Sequence, residues 1–188
     1  MLTGEVHAED LAAAPVTNSG LRGVRLFRAR LVREDLDLTD LHLHVRWSEL
    51  EDCRISQRVR PVLNEHGMAA QGSLGAAPSV YRRCTFTRVR FKTAGGFSLG
   101  QARFEECRFE SCRWEGAFAH AADLLDCTFT GRMNGCVWFG EDRRTGRRNE
   151  VRGNDFSGVD FTGNVGWRAD FPFAEQAWPE GYLRRRRP

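Results

Sequence analysis

The chain has 188 residues, a formal net charge of +3 and 41% hydrophobic residues. This length and composition fit one domain with a buried core. No run of about 18 apolar residues is present, so we expect no membrane span. The N-terminus lacks a basic segment followed by an apolar one, so we expect a cytoplasmic protein. Without the arginines at 184–187 the body has 24 basic and 25 acidic residues and is close to neutral.

Residues 1–18 show no repeat, and we interpret them as an N-terminal leader or cap. From residue 19 onward, bulky apolar residues recur every five positions, and a smaller residue lies two positions before most of them. The first central residues are Leu21, Leu26, Leu31, Leu36 and Leu41. The pattern resumes at Leu50 and Ile55, one residue short of the frame. Over residues 36–45 the leucines also fit a period of two, so an ordinary strand is the local alternative.

The repeat is interrupted at residues 61–78, a stretch that is rich in Gly and Ala and contains His66. An irregular segment of this length is unusual in a compact domain. We predict either a functional loop, with His66 as a candidate partner contact, or a mobile segment without a role.

The repeat then returns and is clearest in residues 99–139. Its central residues there are Leu99, Phe104, Phe109, Trp114, Ala119, Leu124, Phe129, Asn134 and Phe139. A period of five fits neither the 3.6 residues of a helical turn nor the alternation of a strand. It indicates one short backbone unit that is repeated, with a large and a small side chain pointing inward each time.

A second interruption at residues 141–152 is polar and carries Arg143, Arg144, Arg147 and Arg148. Arginines suit phosphate or carboxylate groups, so these four are candidate partner contacts; a solvated loop is the alternative. In the last units Gly166 is too small for a central position, and Trp167 is expected to fill that space.

Several units resemble those of the pentapeptide-repeat family, which read as a small residue, Asp or Asn, Leu or Phe, and two polar residues. The plainest matches are residues 107–111, 127–131, 154–158 and 159–163. The resemblance covers most of 19–171. It implies an all-β fold, a right-handed quadrilateral parallel β-helix with four units in each coil and short terminal caps. About six coils at roughly 4.8 Å each would give a rod about 29 Å long.

From residue 172 to 188 the chain leaves the repeat and could form a short helix before Pro179. Phe173, Trp178, Tyr182 and Leu183 make an apolar surface that must cover something. The resemblance suggests two uses for this surface: it caps the last coil, or it forms a homodimer.

Five of the six cysteines occupy the small inward position: Cys53, Cys84, Cys107, Cys112 and Cys127. We expect buried, reduced thiols that serve as small apolar side chains. With four units in a coil, Cys107 and Cys127 should stack one coil apart. No cysteine or histidine pair has the spacing of a zinc site, and His42 and His44 lack evident further ligands, so we predict no metal site.

Catalysis needs several groups that converge on one point, whereas neighbouring units of a square coil face different directions. Asp155 and Asp160 are therefore no carboxylate pair, and no glycine-rich phosphate loop is present. We predict no catalytic residues and no cofactor.

The leading hypothesis is a non-enzymatic scaffold that binds a protein partner through its flat faces and its two loops. The resemblance adds one specific candidate, a type II topoisomerase such as DNA gyrase, bound by mimicry of DNA. The alternatives are an enzyme or accessory protein of a biosynthetic pathway, with a pocket near Ala119, Asn134 and Gly166, and a nucleic-acid binder that acts through the arginine clusters.

Overall fold

The computed structural model describes residues 1–57, 69–142 and 144–182. The strands are β1 (Leu2–Glu5), β2 (Arg22–Val32), β3 (Asp35–Asp37), β4 (Leu41–Arg46), β5 (Glu49–Glu51), β6 (Arg54–Ser56), β7 (Gln71–Ser73), β8 (Ser79–Arg82), β9 (Thr85–Thr87), β10 (Arg90–Phe91), β11 (Phe97–Ser98), β12 (Ala102–Glu105), β13 (Arg108–Glu115), β14 (Phe118–Ala119), β15 (Asp123–Leu125), β16 (Thr128–Asn134), β17 (Val137–Phe139), β18 (Glu141–Asp142), β19 (Arg147–Arg148), β20 (Val151–Arg152), β21 (Asp155–Thr162) and β22 (Gly166–Arg168). A helix, α1 (Ala8–Ala12), and a 3₁₀ turn (Phe173–Glu175) complete the described elements. Neither has the length and apolar character needed to cross a bilayer.

Almost all strand pairs are parallel, and most of them join residues about one coil apart in the chain. Phe104, for example, lies between Tyr81 on one side and Leu124 on the other. The β18–β19 hairpin is the antiparallel strand pair of the described residues. This register confirms the predicted fold, a nearly all-β parallel β-helix.

The inward central residues form four ladders, and we name the outer faces after them. Face one carries Leu26 and Val45, then Ala119, Trp138 and Trp167; face two carries Leu31, Leu50, Tyr81, Phe104, Leu124 and Val151; face three carries Leu36, Ile55, Phe86, Phe109, Phe129 and Phe156; face four carries Phe91, Trp114, Met133 and Phe161. Trp167 therefore occupies the position that Gly166 cannot fill, as the sequence predicts.

Aromatic stacking holds the middle of the core. On face three the ring of Phe109 lies 4.9 Å from Phe86 and 4.7 Å from Phe129, within 9° of parallel in both pairs. Phe129 lies in turn 4.4 Å from Phe156. These rings are fully buried. Burying one such side chain contributes about 1.5–3 kcal/mol, and each stacked pair adds about 0.5–1.5 kcal/mol.

Besides the four ladders of central residues, another ladder runs through the small inward position that lies two residues before the central residues of face three. Its members are Glu34, Cys53, Cys84, Cys107, Cys127, Asn154 and Gln176, each opposite the next in the parallel register. Only the members at the two ends are polar. Burial of the cysteines is confirmed, and all six are free thiols. Burial raises the pKa of the Cys107 thiol and raises that of Cys112 to about 12, so both stay protonated.

The polar ends of this ladder attach the terminal segments. At the first coil the Glu34 carboxylate accepts hydrogen bonds from the His7 ring at 2.8 Å and the Ala8 amide at 2.9 Å. At the last coil the Asn154 side chain accepts from the Cys127 amide and donates to Gln176. Glu34, which breaks the small apolar rule in the sequence, thus tethers the N-terminal segment.

The corners of the coil use left-handed backbone. At many corners the residue two positions after a central residue has positive φ, as at Asp52 (φ 54), Arg83 (φ 50) and Asp126 (φ 54). This conformation costs a non-glycine residue about 1–2 kcal/mol. Glycine serves other corners, including Gly116 (φ 55).

The predicted frame is wrong by one residue after Gly131. Cys112 pairs with Gly131, and a bulge there shifts the register, so Met133 and Trp138 point inward. Asn134 is exposed instead of central. Cys136, which lies outside the predicted frame, is consequently buried at a small inward position.

The segments before, within and after the repeat have defined structure. β1 pairs with β2 and extends the ladder before the first coil, while Leu11 of α1 is buried against it. Within 61–78, β7 pairs with both β4 and β11, so the interruption does not extend over residues 71–73. Residues 173–175 form a 3₁₀ turn and no α-helix.

We predict that Asn154→Ala lowers the free energy of unfolding by about 2–4 kcal/mol, because it leaves the buried Cys127 amide without its acceptor and the Leu124 carbonyl without its donor. Asn134→Ala is the matched control, since Asn134 is exposed. Chemical denaturation of both variants measures the difference. Equal stability of the two would contradict the role assigned to the polar ladder ends.

We predict that Gly116→Ala lowers stability by about 1 kcal/mol, because alanine is strained at φ 55 even though its Cβ would meet open space. Gly166→Ala should have little effect: its backbone needs no left-handed conformation, and its Cβ would be in ordinary contact at 3.6 Å from Val137. Urea midpoints of the two variants test this comparison, and an equal loss in both would argue against corner strain.

Candidate partner-binding face

Ion pairs connect the coils on face two. Arg82 lies 2.9 Å from Glu105, and Arg103 lies 2.5 Å from the same carboxylate. Arg103 also reaches Glu150 at 3.0 Å, in the next coil. The neighbouring arginines hold the pKa of the Glu105 carboxyl below its usual value. Exposed pairs of this kind contribute little each, but together they neutralise the face.

Faces three and four are similarly balanced. Arg90 pairs with Glu115 at 2.8 Å, and Arg132 with Asp160 at 3.4 Å, both on face four. On face three Arg54 pairs with Asp35 at 2.5 Å. The opposed charges leave these faces without a long run of one sign.

Face one is different, because its outward side chains enter no ion pair among the described residues. Its ladder is also interrupted: β11 and β14 follow each other on this face yet belong to different sheets. A groove of about 810 Å³ lies at this gap. Its lining residues are Ser73, Gly75, Ala76, Thr93, Ser98, Gly100, Gln101, Phe118, His120, Ala121, Asp142 and Arg144.

The floor of the groove depends on two glycines. A Cβ at Gly100 would lie 2.2 Å from the Gly75 carbonyl oxygen, and one at Gly75 would lie 2.3 Å from the Ala102 amide nitrogen. Both distances are far below van der Waals contact. The two glycines therefore let adjacent coils approach and leave the floor without side chains.

One wall of the groove is aromatic. Phe118 is 44% exposed, and its ring is parallel to that of His120 at 5.8 Å. The His120 ring also stacks on the buried Phe139 at 4.5 Å. Thr93 accepts a hydrogen bond from the Phe118 amide at 2.9 Å, which positions the short strand β14. The wall thus presents an apolar ring that has rigid support.

The opposite rim is the β18–β19 hairpin. Asp142 accepts hydrogen bonds from the Thr145 hydroxyl at 2.8 Å and the Arg144 amide at 3.1 Å. Burial of Asp142 opposes ionisation, but these bonds and the nearby arginines hold the pKa of its carboxyl below the ordinary value. Because Asp142 shapes the turn, the exposed Arg144 side chain lies at the groove.

The candidate arginines of 141–152 have different surroundings. Arg147 donates to Asp123 at 2.9 Å and to the Ala121 carbonyl at 3.0 Å, so it holds the hairpin against the coil. Arg148 is exposed and enters no ion pair within the described residues. Arg144 lines the groove. Arg143 and His66 lie outside the described residues.

The candidate C-terminal residues pack on the last coil. Trp178 stacks on Phe156 at 5.1 Å and on Phe173 at 4.2 Å. Tyr182 stacks on Phe161 at 4.3 Å, and its hydroxyl accepts a hydrogen bond from Trp167. Leu183 and the arginines at 184–187 lie outside the described residues.

Sequence reasoning missed Phe118 and the groove. The available signal was an aromatic residue at a position that is polar in most units. The space expected to form a pocket near Ala119, Asn134 and Gly166 is occupied by two indole rings. Trp138 lies opposite Ala119 and stacks on Trp167 at 6.0 Å, while Asn134 faces outward. Among the described residues no group of three or more His, Cys, Asp or Glu side chains could hold a metal ion.

No family model matches this chain, and no curated protein does. Among solved structures it is similar to a trypsin-treated variant of QnrB1, a plasmid-mediated fluoroquinolone resistance protein. The identity is 11%, the match covers 88% of each chain, and the TM-score is 0.33. The assignment of the fold rests on the strand register of this chain and not on that likeness.

We predict that Arg147→Met destabilises the protein by about 1–2 kcal/mol, because Asp123 and the Ala121 carbonyl lose a charged donor. Arg148→Met should change stability by less than about 0.5 kcal/mol, as is usual for an exposed position. Denaturation curves measure the stability, and hydrogen exchange of residues 144–150 reports the hairpin. An equal response of the two variants would remove the structural role of Arg147.

Proposed function

We propose that this chain is a non-enzymatic scaffold that binds a protein partner in the groove of face one. The observation that carries the proposal is Phe118, an exposed aromatic ring on rigid support. Interfaces gain most of their affinity from a few aromatic and arginine side chains, and Phe118 and Arg144 line the same groove.

The ion pairs of the other faces support this choice of surface. Charged side chains that already form ion pairs gain little from a new partner, whereas the outward residues of face one enter no ion pair among the described residues. We propose that the partner inserts an extended, acidic segment, with an apolar side chain against Phe118 and a carboxylate at Arg144.

We predict that a photo-crosslinking amino acid at position 118 captures a defined protein in the native cell. The control is the same amino acid at position 108, an exposed position on face three. With the captured protein purified, Phe118→Ala and Arg144→Glu should each weaken its binding about tenfold or more, as expected for central contacts. Equal capture at both positions, or unchanged affinity of both variants, would remove the groove as the binding site.

A type II topoisomerase bound by DNA mimicry is the more specific form of this hypothesis. Mimicry needs carboxylates that present negative charge as phosphates do, but on face two Glu105 is held between Arg82 and Arg103. We therefore favour a partner selected by the groove. A supercoiling assay with purified gyrase and micromolar protein should show neither inhibition nor protection from a gyrase poison; either effect would restore the topoisomerase as the partner.

A homodimer through the C-terminal segment remains a separate proposal. Phe173, Trp178 and Tyr182 already cover the last coil, so a second copy would have to use their outer edges and residues beyond 182. Sedimentation equilibrium of the full chain beside a chain ending at residue 182 tests it. A monomer mass in both would exclude this dimer.

A further inference from the structure

A second concave site lies at the N-terminal end of face one, separate from the groove. This cleft of about 480 Å³ is lined by Met1, Arg25, Leu26, Phe27, His44 and Arg46. In the β2–β4 register Arg25 lies opposite His44, and Phe27 lies opposite Arg46. Leu26 and Val45, between them, point into the core. Alternation along the two strands thus places two arginines, a histidine and an aromatic ring on one outer surface.

The cleft is cationic, and none of its described lining residues is a carboxylate. Arg25 and Arg46 are exposed, and neither pairs with a carboxylate in the described part of the chain, unlike the arginines of face two. The pKa of His44 is lowered mainly by its burial, and to a smaller extent by the neighbouring His42, Arg25 and Arg46. The guanidinium groups of Arg25 and Arg46 in that set give a positive local potential. His42 and His44 approach each other to 3.1 Å between their Nε2 atoms, so one ring donates to the other there, and the N–H groups that face an anion are those of the Arg25 and Arg46 guanidinium groups.

An exposed aromatic pair lies next to these charges. Trp47 directly follows Arg46, is 50% exposed, and meets the Phe27 ring edge-on at 5.3 Å. The guanidinium of Arg28 lies 5.3 Å from the centre of the same Phe27 ring. Trp47 occupies a corner with φ 48, a conformation that is unfavourable for a bulky side chain. The other corners of this kind hold small, polar or charged residues, so this indole is exposed at a position where nothing in the fold requires it.

We propose that this cleft binds a nucleotide, with the phosphate at Arg25 and Arg46 and the base stacked on Trp47. The guanidinium group of arginine can donate two parallel hydrogen bonds to phosphate oxygens. Any nucleobase can stack on an exposed indole, because every base has a π face. A bare cation would suit the two imidazoles but would meet two uncompensated guanidinium groups. A ligand that carries both a phosphate and an aromatic ring is the chemistry that uses every feature of the cleft.

The test titrates the full chain with ATP in low salt and follows heat and tryptophan fluorescence. Arg25→Ala and Arg46→Ala should each raise the dissociation constant about tenfold, as expected for loss of a charge-assisted hydrogen bond. Arg108→Ala is the matched control, because it removes the same charge from an exposed site on face three. Circular dichroism and melting curves confirm that the variants stay folded.

Three further ligands separate the parts of the proposal. Trp47→Leu should weaken ATP binding while leaving the weaker binding of pyrophosphate unchanged, and adenosine alone should bind far less than ATP. A thymidine oligomer that binds more tightly than ATP, with the same loss in Arg46→Ala, would assign the nucleotide to a single strand. Absence of ATP and oligomer binding at millimolar concentration, or binding that Arg25→Ala and Arg46→Ala leave unchanged, would overturn the site.

Discussion

The inter-coil ladder is the constraint on which the rest of this structure depends. Parallel hydrogen bonds hold successive coils at the spacing of paired strands, and that spacing also suits stacked rings, as in the 4.7 Å pair of Phe109 and Phe129. Each coil must therefore return a side chain of the same kind to the same place. Insertions are tolerated only between ladder positions, which explains why the hairpin at 141–148 projects while Leu124 still pairs with Val151.

The five-residue period predicted most of this fold because the period is a direct consequence of the ladder. It identified Phe104, Phe109 and Phe129 as core and the cysteines before them as buried. It failed at Gly131, where the register shifts opposite Cys112, because β16 is one residue shorter than both neighbouring strands there and Gly131, with φ 107, lies at the shift. Local sequence does not show which of two adjacent residues, Met133 or Asn134, then turns inward.

The candidate site was less predictable, since its parts come from different coils. Ser73, Ser98 and Phe118 converge in the groove although they are far apart in the chain. Their meeting depends on a gap in pairing between β11 and β14, which no residue pattern marks. The sequence shows that residues 141–152 are rich in arginine. It does not show which of these arginines faces solvent and which contacts its own coil. Arg147 is held by Asp123, whose position is set by the face-two ladder.

Inward-pointing positions are constrained by packing, whereas outward-pointing positions are free to vary, and this difference explains why functional side chains can lie on one face. Inward positions accept a narrow set of shapes, and the polar members Glu34 and Asn154 occur where the ladder meets a terminal segment. Outward positions must only avoid exposing unpaired strand edges and large apolar patches. Faces two to four meet this requirement largely with paired charges and polar side chains, although Arg108 and Arg113 have no carboxylate partner among the described residues. Face one instead leaves two arginines without carboxylates among the described residues and exposes Trp47 and Phe118, which stability alone does not require. Binding therefore explains best those outward side chains that do not pack in the core and whose charge no carboxylate compensates among the described residues.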